Sequence, residues 1–186
     1  AEAEKLVTTS LKVHQDNKNM PGVMSESRNL GNLCLQKTDW FNAEKNYLKA
    51  LEVNTESGNK AEMAEDNRNI CNLYLQKEDW SQAEKFALRA LAISEEIKDY
   101  RNVCSDCRIL SNIYVEKKER SKQEVYYKKA LENSQRLNDP KEILIDLRHL
   151  GKFNMERGYR EKAAENFKQS FELSGQLNDK KEIAED

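Results

Sequence analysis

Four arginines recur at an interval of 40 residues: Arg28, Arg68, Arg108 and Arg148. Four positions after each stand Asn32, Asn72, Asn112 and then Lys152, and Asn29 and Asn69 sit directly beside the first two arginines. On a helix, residues i and i+4 share a face, so every interval presents an Arg–Asn or Arg–Lys pair in the same direction. An asparagine amide is both donor and acceptor and can satisfy the N–H and C=O of an extended peptide whatever its side chains. A guanidinium adds a planar fork for carboxylates or carbonyls. The combination fits capture of an extended or partly helical segment carrying Asp or Glu. Leu35, Leu75, Val115 and Met155, three positions beyond the Asn row, would supply apolar pockets. The same rows also allow an internal role. Arg68 could pair with Glu65 on its own helix and Asn72 could cross-link neighbouring helices, so that the rows merely hold a stack together.

The elements that would position these pairs are written into the same period. Gly31-Asn-Leu-Cys-Leu-Gln-Lys-Thr-Asp-Trp40 is answered by Cys71-Asn-Leu-Tyr-Leu-Gln-Lys-Glu-Asp-Trp80, and further copies start at Ser111 and Gly151 without insertion or deletion. A period of this size is the signature of a stacked array. Each copy reads as helix, short turn, helix, over 1–17, 21–37, 41–57, 60–77, 81–97, 100–117, 121–137, 140–157 and 161–177, with a stub after 180. The repeats are then 21–59, 60–99, 100–139 and 140–179. They are flanked by 1–20, the second helix of a truncated repeat, and by 180–186, the start of another, so the array is expected to be cut at both ends.

The turns repeat as faithfully as the helices. Asn19, Asn59, Asp99, Asp139 and Asp179 are N-cap residues whose side chains accept the orphan N–H groups of the next helix. Gly58, Asn138 and Asn178 suit the left-handed conformation that closes a helix. Pro140 falls at a first helical position, where its missing N–H costs nothing, and Pro21 falls one residue later in its own unit. Asp39 and Asp79 cap the second helices. Small positions (Gly31/Cys71/Ser111/Gly151 and Ala43/Ala83/Gln123/Ala163) let antiparallel helices approach. Large ones (Tyr47, Tyr127 and Phe167, with Ala87 at the same position of the second copy) fill the groove to the next pair. No single unit can bury its apolar face alone.

Composition agrees with an all-α chain. Two prolines and six glycines in 186 residues leave helix formers dominant. The 31 basic and 33 acidic side chains nearly cancel, which gives no whole-chain pull toward nucleic acid or a membrane surface. A mean hydropathy of −0.94 suits thin layers with much exposed surface. No apolar run approaches the roughly 20 residues of a membrane span, and no signal-peptide pattern opens the chain. Cys34, Cys71, Cys104 and Cys107 read as small packing residues kept reduced in a cytoplasmic setting. The Cys104-x-x-Cys107 pair lies inside a helix, far in sequence from His14 and His149, so no metal or other cofactor is expected. A basic cluster, Lys117, Lys118, Arg120, Lys122, Lys128 and Lys129, is interleaved with Glu116, Glu119 and Glu124 and reads as a solvated edge, not a nucleic-acid patch. No phosphate loop, zinc helix or nucleophile–base set is present, so the chain is not expected to be an enzyme.

The Leu30-Gly31, Ala43, Tyr47 and Ala50 positions, with their period-40 equivalents, resemble tetratricopeptide repeats. The 40-residue spacing and the Leu30-Gly31-Asn32 tripeptide are similar to Pins/LGN-type G-protein-signalling modulators; kinesin light chains and Rap-type peptide receptors have similar long repeats. The resemblance implies a right-handed solenoid of antiparallel helix pairs whose first helices line a concave groove, with the Arg and Asn rows at ligand-holding positions. It implies a scaffold that binds a partner protein through an acidic or extended segment. The alternatives are a peptide-responsive receptor, or the arm of an enzyme whose catalytic domain lies elsewhere. Departures are plain: the family's first-helix aromatic is Ser27, Asn67, Cys107 or Leu147 here, Gln123 and Arg120 break the third unit, and the carboxylate-clamp positions Ser105 and Ile109 are not basic. End faces carrying Ala3, Val7 and Leu11, or Phe167 and Phe171, are expected to allow end-to-end self-association.

Overall fold

The computed structural model describes the backbone of residues 2–185; the side chains of residues 3, 4 and 178–185 lie outside the described set. Among the described residues the chain is helical throughout, with no strand. Two units divide it, residues 1–97 and 98–186. The first holds α1 (Glu2–Asp16), α2 (Met20–Gln36), α3 (Trp40–Ser57), α4 (Lys60–Gln76) and α5 (Trp80–Glu96). The second holds α6 (Tyr100–Glu116), α7 (Arg120–Leu137), α8 (Pro140–Glu156) and α9 (Arg160–Glu185).

The helices begin where a side chain can accept an orphan N–H. Asn19 accepts from Gly22 N, Asn59 from Glu62 N, Asp99 from Asn102 N and Asp139 from Lys141 N. Asp39 and Asp79 do the same for α3 and α5, accepting from Asn42 N and Gln82 N. The helix α7 differs: its N-cap is Glu119, which makes no side-chain cap bond. The acid is one methylene too long for the cap and instead meets Lys117 and Lys122 at 3.3 and 2.7 Å.

Helix ends are closed by a left-handed residue. Gly58 and Asn138 adopt it, at φ 68° and 53°. So do Lys18, Thr38, Glu78, Lys98 and Lys118, at φ between 53° and 59°, residue types that carry no sequence sign of this conformation. The turn expected after 177 is not an element boundary, since α9 runs Arg160–Glu185. The cap expected at Asp179, the closing residue at Asn178 and the stub after 180 fall outside the described side chains.

Close helix contact has identifiable causes. A Cβ on Gly31 would sit 2.6 Å from the Tyr47 ring, and one on Gly151 would sit 2.7 Å from Phe167. Within the first unit Tyr74 stacks on Phe86 with ring centroids 5.6 Å apart. Within the second, Tyr114 stacks on Tyr126 at 5.4 Å and Tyr127 meets Phe153 edge-on at 6.0 Å. The Ala43, Ala83, Ala130 and Ala163 positions are fully buried, as the small-residue pattern requires.

Candidate binding face and the clamps beneath it

The two kinds of residue in the recurring rows take different positions. Arg28 on α2 reaches across to α4. Its Nε donates to Asp66 Oδ1 at 2.5 Å, Nη1 pairs with the Glu62 carboxylate, and Nη2 donates to the Glu62 carbonyl at 3.1 Å. Asp66 is fully buried, and Asn54 Nδ2 on α3 donates to its second oxygen at 2.5 Å. The second unit repeats the bridge between α6 and α8. Arg108 Nε donates to Asp146 Oδ1 at 2.5 Å, Nη1 to Glu142 Oε2 at 2.6 Å and Nη2 to the Glu142 carbonyl at 3.3 Å. The side chains of Arg28 and Arg108 are only 14% and 15% exposed.

Burial pulls both guanidinium pKa values down, but the hydrogen bonds and charges of the paired carboxylates outweigh it, and the net shift is upward. Both arginines are cationic at any working pH. Arg68 Nη1 donates to the buried Ser94 Oγ at 3.4 Å, and Arg148 Nε to Ser170 Oγ at 3.2 Å. Asp66, Asp106 and Asp146 each stand 38 residues after an arginine of the row. That offset is visible in the sequence, yet a search confined to neighbours on one helix passes over it.

The companion rows lie outward. Asn29, Asn32, Asn72, Asn112 and Lys152 are exposed, and Asn69 is half-buried. In the first unit, Asn29 and Asn32 on α2 and Asn69 and Asn72 on α4 form one amide-bearing set. Tyr47 Oη donates to Asn32 Oδ1 at 2.6 Å, which fixes that amide with its NH₂ outward. Burial, with Cys34 nearby, raises the Tyr47 phenol to about 12, so it stays a donor. Ala87 replaces the tyrosine in the next repeat, and Asn72 lacks the equivalent anchor. Asn29 Nδ2 reaches Glu26 Oε2 at 3.2 Å. In the second unit Asn112 on α6 is followed by Arg148 and Lys152 on α8. Leu35 and Leu75 are half-buried beside their asparagines, whereas Val115 and Met155 are 45% and 55% exposed.

His149 is half-buried, with its ring 5.7 Å from Tyr127 and a buried Nδ1 that has no partner. All four cysteines are buried thiols, and burial, with Asp146 adding, pushes Cys104 up to about 11. Such a thiol is protonated and unreactive near neutrality. Among the described residues no group of three His, Cys, Asp or Glu side chains is placed to hold a metal ion. In the basic cluster Lys117 and Lys122 meet Glu119 and lie over the Tyr114 ring, while Lys128 meets Glu124 at 2.6 Å. No helix among the described residues is long and apolar enough to cross a membrane.

Paired helices repeating every 40 residues, with small residues at the crossings, define the tetratricopeptide-like helical-repeat fold. Residues 23–96 match the tetratricopeptide repeat family model. BtubC (BKLC) from P. vanneervenii shares the fold with a TM-score of 0.80 at 20% identity, over 95% of this chain and 74% of that one. A kinesin light chain of nearly identical TPR-like repeats from Podosopora anserina gives 0.74 at 11%, over 95% and 87%. The apo form of RapI gives 0.71 at 12%, over 94% of this chain and 54% of that one. These identities speak for the fold alone. No curated protein matches. Proteins built from such repeats generally mediate protein–protein interaction and are typically non-enzymatic scaffolds.

Proposed function

We propose that this chain is a non-enzymatic scaffold that holds an extended segment of a partner protein against the exposed faces of its first helices. One observation carries the reading: within each unit the companion residues stay exposed (Asn32 and Asn72 in the first, Asn112 and Lys152 in the second) while Arg28 and Arg108 are engaged by carboxylates. Amides held on rigid helices can pair with a peptide backbone in either sense. The acidic preference rests on Lys152 and Arg148 on α8, because Arg28 and Arg108 already meet acids of their own chain. The 40-residue spacing and the Leu30-Gly31-Asn32 tripeptide support kinship with Pins/LGN-type modulators.

The test is capture of binding proteins by the immobilised chain, read by mass spectrometry, for the wild type and for Asn72→Ala/Asn112→Ala/Lys152→Glu. These side chains are exposed, so the variant should melt within a few degrees of the wild type, while proteins captured by the wild type are lost. Equal capture by both, with equal melts, would contradict the reading.

A further inference from the structure

Arg148 stands apart from Arg28 and Arg108. It is exposed, and among the described residues its hydrogen bond goes to Ser170 Oγ at 3.2 Å, not to a carboxylate. The carboxylates that engage Arg28 and Arg108 lie 34 and 38 residues further along the chain: Glu62 and Asp66 for one, Glu142 and Asp146 for the other. The same offsets from Arg148 fall on Glu182 and Asp186. Those acids belong to Lys180-Lys-Glu-Ile-Ala-Glu-Asp186, which repeats Lys60-Ala-Glu-Met-Ala-Glu-Asp66 at five of seven positions. The chain therefore carries both halves of another clamp.

The backbone keeps the two halves apart within one copy. The turn that returns α8 beside α7 uses Asn138 at φ 53° and the Asp139 cap. At the equivalent Asn178-Asp179 there is no turn, and α9 runs unbroken over Arg160–Glu185. Glu182 is then about 18 Å beyond Ser170 along α9, out of reach of an Arg148 anchored at that serine. An apolar residue marks the same end. Leu131 packs against Tyr127, Leu150 and Phe153, two of them from the following helix α8, whereas Phe171, one period later, is 80% exposed. A helix laid here would cover Phe171 and bring its acids to Arg148. In the first unit Leu51 and Met63 line one groove, and Phe171 and Ile183 hold those places in the period.

We propose that the α8–α9 end is a self-association surface, on which Arg148 of one copy takes Glu182 and Asp186 of a second. A first helix following α9 in the array would run antiparallel to it. The α9 of a second copy supplies these residues in that orientation without any turn. The pairing is isologous, because the two-fold relation that seats one acid pair also seats the other. Each clamp is incomplete without the second copy. An acidic segment of another protein would compete with that copy for Arg148, whereas Asn72 and Asn112 serve the segment alone.

The test is sedimentation velocity of the full chain from micromolar to millimolar concentration, where the wild type should show a monomer–dimer equilibrium. Arg148→Glu should weaken dimerisation about a hundredfold, since each dimer holds two such pairs. Glu182→Lys/Asp186→Lys leaves α8 untouched and should weaken it equally, which keeps the test open if Arg148→Glu fails to fold. In a mixture of the two variants the charges match at both clamps of a heterodimer. Dimer should then return to within about tenfold of the wild-type affinity. A segment folded back on its own α8 would give no such recovery. Asn72→Ala/Asn112→Ala should dimerise as the wild type does even if partner capture is lost. A wild type that stays monomeric to millimolar concentration, a dimer indifferent to both charge variants, or a mixture that stays monomeric would each overturn the proposal.

Discussion

The clamps of the two units are built alike up to their third member, and there they part. In the first unit Asp66 takes Arg28 on one oxygen and Asn54 on the other. In the second, Asp146 takes Arg108 on one oxygen, while Ser134, which stands where Asn54 does, donates to the Leu131 carbonyl. Asp146 Oδ2 is left buried and unpartnered. The same ion pair therefore rests on a satisfied carboxylate in one unit and on a half-satisfied one in the other. A buried pair is held by its additional hydrogen bonds as much as by its charges, so the two clamps should respond unequally to the same change.

The largest expected effect is loss of the guanidinium. Arg108→Met strands a buried carboxylate that has no neutral donor and should cost about 3–5 kcal/mol. Arg28→Met leaves Asp66 with its bond from Asn54 and should cost about 2 kcal/mol. Urea unfolding midpoints of the two variants give the order directly, and a larger loss for Arg28→Met would break the comparison. Exchanging the third member should sharpen it. Ser134→Asn offers the missing donor and is expected to stabilise by about 1 kcal/mol, while Asn54→Ser should destabilise by a similar amount.

His149 separates the units by pH. Burial and the nearby Arg108 hold its imidazole below the ordinary 6.5, with Asp146 opposing. As the pH falls from that value the unfolded chain takes up the proton first, so stability declines until the lowered folded value is passed. His149→Gln should flatten that part of the stability–pH curve, measured by thermal melts between pH 7 and 5; an unchanged slope would remove histidine from the account.

The smallest change is at α7. Glu119→Asp restores the cap present at Asp39 and Asp79 and should gain about 0.5 kcal/mol, offset in part by weaker contact with Lys117 and Lys122. A drop in the melting temperature would show that those two lysine contacts outweigh the cap.

Most of the helix boundaries were legible because caps and period repeat together: Asn59, Asp99 and Asp139 signal the same event at the same spacing. The left-handed turn residues Thr38, Glu78 and Lys98 were not, because lysine, threonine and glutamate carry no local preference for positive φ, and the surrounding helices impose it. The arginine row was legible as a row. Its partners were not, because Asp66 and Asp146 lie 38 residues away and become neighbours only when first helices stand side by side. Ser27 and Asn67 could be noted as departures from the family's aromatic. That each buries an unpartnered oxygen depends on the helices packed around it and is visible only in three dimensions.

The central claim is that the arginines hold repeats to one another and leave the outward asparagines and Lys152 for a partner. A double-mutant cycle on Arg108→Met and Asp146→Leu tests it most directly, with unfolding free energies of the wild type, both single variants and the double variant. If the clamp is as described, the two losses are strongly non-additive, with a coupling of about 2 kcal/mol or more, and the double variant is more stable than Arg108→Met alone. Losses that add to within about 0.5 kcal/mol would contradict it.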